Sequence, residues 1–163
     1  MRLLLGVGLL LLSAFIGYVL SNKYYYRRIF FDDFVAFNNK LKQNISFKQT
    51  TLIKFIKEQK EQSDFYLSLN KFICEKDENI NLSYLQADEI NYFCEYMKSL
   101  GKDDAKTQIK FIDNINCKII EIQKNVSEDE KKYKSLYIKL GILIGLILLK
   151  DCLIPVEENL DVI

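Results

Sequence analysis

The feature that most limits what this chain can become is its beginning, where Leu3 to Leu20 runs for 18 residues without a charge. At the helical rise such a run reaches about 27 Å, close to the hydrocarbon thickness of a bilayer. A cleaved signal sequence is the rival reading, because Arg2 supplies a short basic leader. The apolar stretch exceeds the usual length for that role, and Val19-Leu20-Ser21-Asn22 lacks a small-residue cleavage pattern. Residues 1–22 are therefore expected to form an uncleaved N-terminal membrane anchor.

Charge orients the rest of the chain. Lys23, Arg27, Arg28, Lys40 and Lys42 lie downstream of the apolar run and only Arg2 lies upstream, a bias that places residues 23–139 in the cytoplasm. Tyr24, Tyr25 and Tyr26 fall either at headgroup level, as an aromatic belt, or in helix packing just below it. A second apolar stretch, Leu140 to Leu149, has only ten uncharged residues, and reaches about 21 Å when extended back to Leu136 with Lys139 snorkelling. Gly141 and Gly145 stand one helical turn apart on one face, the spacing that lets another backbone approach closely, and Ser13 and Gly17 give the first segment a similar face. Lysines 131, 132, 134 and 139 precede this stretch, and Glu157, Glu158 and Asp161 come after it. The expectation is a C-terminal transmembrane helix over 140–154 and a short acidic tail, 155–163, on the far side.

Between the two apolar ends the periodicity is helical. Phe30, Phe34, Phe37, Leu41 and Ile45 recur at steps of four and three, continuing a helix out of the membrane. Thr50 or Thr51 can cap a helix burying Leu52, Phe55 and Ile56, and another runs through Phe65, Leu69, Phe72 and Ile73. Residues 77–81 read as a polar loop. Ser83 with Gln86 has the spacing of a capping box for a helix burying Leu85, Ile90, Phe93 and Met97, closed by Gly101 in a left-handed conformation. Asp103 or Asp104 then caps a helix with a heptad seam: Ile112, Ile115, Ile119, Ile122, Val126, Asp129, Tyr133, Leu136 and Leu140. Ser127 and Glu130 could start a new helix, but the seam keeps phase across them, so one long helix is expected. No segment alternates as a half-buried strand does. The expected class is all-α, an antiparallel helical bundle with a long C-terminal helix.

The inventory argues against catalysis. The chain has no histidine, the commonest general base and metal ligand. Its six glycines sit in apolar segments or at a helix end, leaving none for a phosphate-cradling loop. Carboxylate pairs such as Asp32-Asp33 and Asp103-Asp104 are adjacent and so diverge around a helix or serve as caps. Cys74, Cys94, Cys117 and Cys152 contain no closely spaced pair; three read as small hydrophobes on helices of a reducing, cytoplasmic domain and Cys152 as one near a membrane segment. No catalytic residue, metal site or cofactor is expected. A formal charge of +1 provides no basic stripe for nucleic acid.

Two stretches carry a family resemblance. Leu100-Gly101-Lys-Asp-Asp104-Ala-Lys-Thr-Gln108 resembles the Leu-Gly-x-x-Asp-x-x-x-Gln segment of stage III sporulation protein AB of endospore-forming bacteria. The run from Lys132 through Tyr133, Leu136 and Leu140 to Gly141 and Gly145 resembles that family's lysine- and tyrosine-rich approach to a final glycine-containing helix. The anchor with Arg27-Arg28 behind it is similar in kind. There are departures: Asn44-Ile45 stands where the family usually has Glu-Ile, Thr50-Thr51-Leu52 replaces its Thr-Pro-Leu, and its mid-domain tryptophan is missing. The resemblance implies a non-enzymatic scaffold in the membrane complex joining mother cell and forespore. Its helical domain would face the mother-cell cytoplasm and be similar to the platform protein F of type II secretion. The implied partners are other stage III sporulation membrane proteins, a secretion-type ATPase and the lipid bilayer, with a second copy of the chain left open. It also makes Leu100, Gly101, Asp103, Asp104 and Gln108 the candidate docking turn, with capping the plainer role of the aspartates. Ser13, Gly17, Gly141 and Gly145 are the candidate membrane helix-packing residues.

Overall fold

A computed structural model describes residues 2–48, 50–59, 62–77 and 79–153, with side chains described from residue 6 to 150. The expected acidic tail, 155–163, and the Cys152 side chain lie outside the described residues. All regular structure among the described residues is helical: α1 (Arg2–Gln43), α2 (Leu52–Glu58), α3 (Asp64–Asn70), α4 (Ala87–Ser99) and α5 (Ala105–Leu153). Asn44–Lys48 forms a π-helical turn after α1, and Lys71–Glu75 another after α3. The chain divides into two compact units, a terminal one from Met1–Tyr25 with Asp129–Ile163 and a central one from Tyr26–Glu128.

The central unit is built on an aromatic core. Phe30, Phe34 and Phe37 of α1 are buried, as their spacing predicts, together with Phe65 of α3 and Phe93 and Tyr96 of α4. Their rings interlock at 4.9 Å between Phe34 and Tyr96, 5.2 Å between Phe34 and Phe65, and 5.4 Å between Phe30 and Phe93. These tilted and edge-on pairs let the ring quadrupoles attract, each adding about 0.5–1.5 kcal/mol beyond burial. Ile112, Ile119 and Val126 of α5 close the other side at steps of seven. Tyr96 donates its hydroxyl to Asn38 Oδ1, and burial pushes its phenol pKa up, so it stays a donor at neutral pH.

The local signals hold in part. The turn after α4 closes with Gly101 at φ 73°, and α5 runs through Ser127 without a break. The capping box of α4 is shifted: Ser83 lies in a turn closed by Leu85 N–H to Leu82 O at 3.0 Å, and the helix begins at Ala87 with Gln86 as N-cap. The reciprocal partner is Glu89, which accepts from the Gln86 N–H at 2.9 Å. Thr51 precedes α2 without a side-chain cap. Thr50 instead donates its hydroxyl to Asn44 Oδ1 at 2.5 Å, while Asn44 Nδ2 donates to Thr50 O at 3.2 Å, tying the π-helical turn to the start of α2.

In the terminal unit the first part of α1 and the last part of α5 run antiparallel, Gly17 against Gly141 and Leu10 against Gly145. The seam of α5 changes here. Leu136 and Leu140, expected on it, are 44% and 45% exposed, while Tyr133, Tyr137, Gly141 and Gly145 face α1. Each step of four overshoots a full turn by about 40°, so the contact line leaves the heptad phase and moves around the helix here.

Candidate functional site

In the central unit the turn between α4 and α5 gives each of its marked residues a distinct job. Leu100 is buried and its N–H reaches Met97 O at 3.3 Å, ending α4. Gly101 takes the left-handed conformation that costs other residues energy. Asp104 is the cap of α5: its Oδ2 accepts from the N–H groups of Lys106 at 3.1 Å and Thr107 at 3.3 Å. Bonding from the Thr107 side chain, then from backbone N–H groups, holds its carboxyl below the ordinary carboxylate value. Gln108 is 4% exposed, and its Oε1 accepts from Gly101 N–H at 3.1 Å. That bond locks the turn from beneath, and its Nε2 is left buried without a hydrogen-bond partner. Asp103 is exposed.

These residues border a groove of about 400 Å³, whose apolar wall is Leu41, Ile45, Leu52, Leu100 and Ala105 and whose polar rim includes Asn44, Thr50 and Asp103. Phe47, two residues beyond Ile45 on the π-helical turn, is 84% exposed. An aromatic side chain left this open has no role in its own core, and π-helical turns are frequent at functional sites. Sequence reasoning misses Phe47 because it stands between Ser46 and Lys48, two places after Ile45 and off the four-and-three spacing of the buried stripe. It also misses the clamp between Arg27 and Glu89, buried at 12% and 5% side-chain exposure. By position alone the arginine counts only toward the membrane-proximal charge.

In the terminal unit the four small residues come together. A Cβ on Gly17 would stand 2.6 Å from Tyr137 O and 3.3 Å from Gly141 Cα, and one on Gly141 would stand 2.7 Å from Ser13 O. One on Gly145 would collide with Ser13 Oγ. Ser13 Oγ donates across the pair to Gly141 O at 2.9 Å. Tyr24 continues the contact, stacked on Tyr133 at 5.1 Å and near Tyr137 at 5.9 Å. The remaining faces expose Leu11, Leu12, Phe15 and Ile16 on α1 and Leu143, Leu146 and Ile147 on α5. Among the described residues, α1 is the one helix long and apolar enough to cross a membrane, judged by length and composition.

Among the described residues no three metal-ligating side chains gather. Cys74 and Cys94 are half-buried and Cys117 is exposed.

The family model of stage III sporulation protein AB matches residues 59–149, more than half of the chain's 163 residues. The match begins after Asn44 and Thr50-Thr51-Leu52, where the sequence departs from the family's usual pattern. No curated protein and no solved structure matches.

Proposed function

The chain belongs to the stage III sporulation protein AB family, and from that premise we propose that it is a membrane-held scaffold whose central unit docks a cytoplasmic secretion-type ATPase of the sporulation machinery. The family is one of sporulation complex components, so interaction with other sporulation proteins comes with membership. The ATPase, the scaffold role and the mother-cell orientation are this reading's own additions.

The observation that carries it is the groove beside the α4–α5 turn, with Phe47 exposed at the end of the helix that begins as the apolar segment. An apolar wall with a polar rim and a projecting aromatic ring is the make-up of a protein-binding patch, where a few aromatic anchors supply most of the affinity. Charge asymmetry supports a cytoplasmic central unit. The exposed apolar faces of the terminal unit support a membrane-embedded helix pair, its glycine contacts compensating for the shortness of the second segment. The absence of histidine and of a glycine-rich phosphate loop from the sequence supports a non-catalytic role.

The test is a pull-down of the tagged full-length protein from sporulating cells. The reading expects a secretion-type ATPase and other stage III membrane proteins in the eluate, and expects Phe47→Ser to lose the ATPase while keeping the membrane partners. Recovery of the ATPase at wild-type yield by Phe47→Ser would remove Phe47 from the interface, and the same result for Asp103→Ala would remove the groove it borders.

A further inference from the structure

We propose that the outer face of α5 in the terminal unit holds one anionic phospholipid, its phosphate between Lys132 and Lys139 and an acyl chain along Leu136, Leu140 and Leu143. This rests on the reading of the terminal unit as membrane-embedded. The residues line a shallow groove of about 350 Å³ together with Ser135. Positions 132, 135, 136, 139, 140 and 143 recur at steps of three, one and three, so they share one face of the helix. That face is not the one against α1, which presents Tyr133, Tyr137, Gly141 and Gly145.

Along the helix the groove runs from Lys132 and Ser135 past Leu136 to Lys139, and then to Leu140 and Leu143, so its apolar end lies on the side of the membrane segment. The two lysine positions are about 10 Å apart along the helix and bracket Ser135 and Leu136. Leu136, Leu140 and Leu143 are exposed at 44%, 45% and 56%. Neither lysine has a carboxylate partner among the described residues. Lys132 lies 5.4 Å from the Tyr133 ring, which directs its ammonium without cancelling its charge. A neighbouring groove shares Ser135 and Lys139 but also contains Glu130, which pairs with Lys134 at 3.6 Å. That carboxylate offsets one of the groove's three lysines, Lys131, Lys134 and Lys139, and its apolar lining is Ile138 alone, against three leucines in the proposed groove. A soluble phosphate would use the lysines and leave the three leucines in water. A lipid uses both ends, and basic residues at the cytoplasmic boundary are where anionic headgroups gather.

Each lysine near the surface of an anionic membrane contributes about fivefold in affinity, so removing both should cost about 25-fold. The full-length protein is placed in nanodiscs of phosphatidylcholine with and without one-third phosphatidylglycerol, and retained lipids are counted by native mass spectrometry. Wild type should retain one phosphatidylglycerol preferentially, K132Q/K139Q should lose that preference, and K54Q/K57Q, on exposed positions of α2, should keep it. Excess glycerol phosphate should not displace the lipid. Equal retention of the two lipids by wild type, retention unchanged in K132Q/K139Q, or displacement by glycerol phosphate overturns the lipid site alone. Failure of wild type to enter either nanodisc overturns the membrane reading and the lipid site together.

Discussion

Arg27 of α1 and Glu89 of α4 meet as a buried fork. The guanidinium Nε donates to both carboxylate oxygens at 3.1 Å, and Nη2 donates to Oε1 at 2.8 Å. The same carboxylate accepts from the Gln86 N–H at 2.9 Å, so one side chain pairs a charge and caps a helix. Glu89→Ala removes the fork and the helix cap together, so it should destabilise the central unit by about 1–3 kcal/mol. Arg27→Met with Glu89→Leu should recover a large part of that loss. Urea unfolding of the full chain in detergent, monitored by circular dichroism, checks both.

Contact between the helices of the terminal unit rests on missing side chains. Gly17→Ala places a methyl group 2.6 Å from Tyr137 O, which forces the helices apart at a cost of about 1–3 kcal/mol. Gly8→Ala meets nothing within 4 Å and should be neutral. In a cysteine-free background, cross-linking by a short bis-maleimide of cysteines introduced at Tyr24 and Tyr133, whose rings stack at 5.1 Å, should fall in the Gly17 variant and stay unchanged in the Gly8 variant. Gly141→Ile with Gly145→Ile should leave the central unit folded while weakening complex assembly.

Asp104 gives the central unit a dependence on acid. Its carboxyl titrates below the ordinary value of 3.8, because the folded state bonds the charged form. The stabilisation is therefore fully present above that value and is lost as the pH falls through the lower, folded-state value. Melting curves of wild type and Asp104→Ala should differ at neutral pH and converge at strongly acidic pH. A constant difference across the range would mean that the side chain acts through something other than its charge.

Topology gives a further expectation. With the central unit in the cytoplasm, a cysteine introduced at Lys57 in a cysteine-free background should resist an impermeant maleimide in intact cells and react after permeabilisation. Strong labelling in intact cells contradicts the charge-based orientation.

The parts of this fold that are legible in the sequence are those set by neighbours along one helix. Phe30, Phe34, Phe37 and Leu41 announce a buried stripe by spacing alone, Gly101 announces a helix end, and the pair Asp103-Asp104 announces a helix start without saying which of the two is the cap. Arg27 with Glu89 is not legible, since nothing local pairs residues 62 positions apart. The exposed places of Leu136 and Leu140 are hidden for a different reason. Tyr133, Leu136, Tyr137 and Leu140 form one broad apolar stripe, so periodicity cannot say which edge of it meets a neighbour, and glycines decide it by allowing the closest approach. Within the docking turn, the sequence marks Gln108 as a candidate contact, whereas burial and its bond to Gly101 make it a brace of the turn. The groove itself requires the π-helical turn and α2, whose placement comes from tertiary packing.

If the groove and Phe47 form a docking surface, the affinity of the purified ATPase for the full-length protein in nanodiscs must depend on them, and measuring that affinity is the most direct test. The informative variants are Phe47→Ser and Asp103→Ala, because both side chains are exposed and neither closes the turn, whereas Gln108→Ala would disturb the fold itself. An aromatic anchor at an interface contributes at least about 2 kcal/mol, so Phe47→Ser should weaken binding by at least about 30-fold with an unchanged melting temperature. Wild-type affinity in both variants, or a loss of binding that only tracks a loss of stability, would contradict the claim.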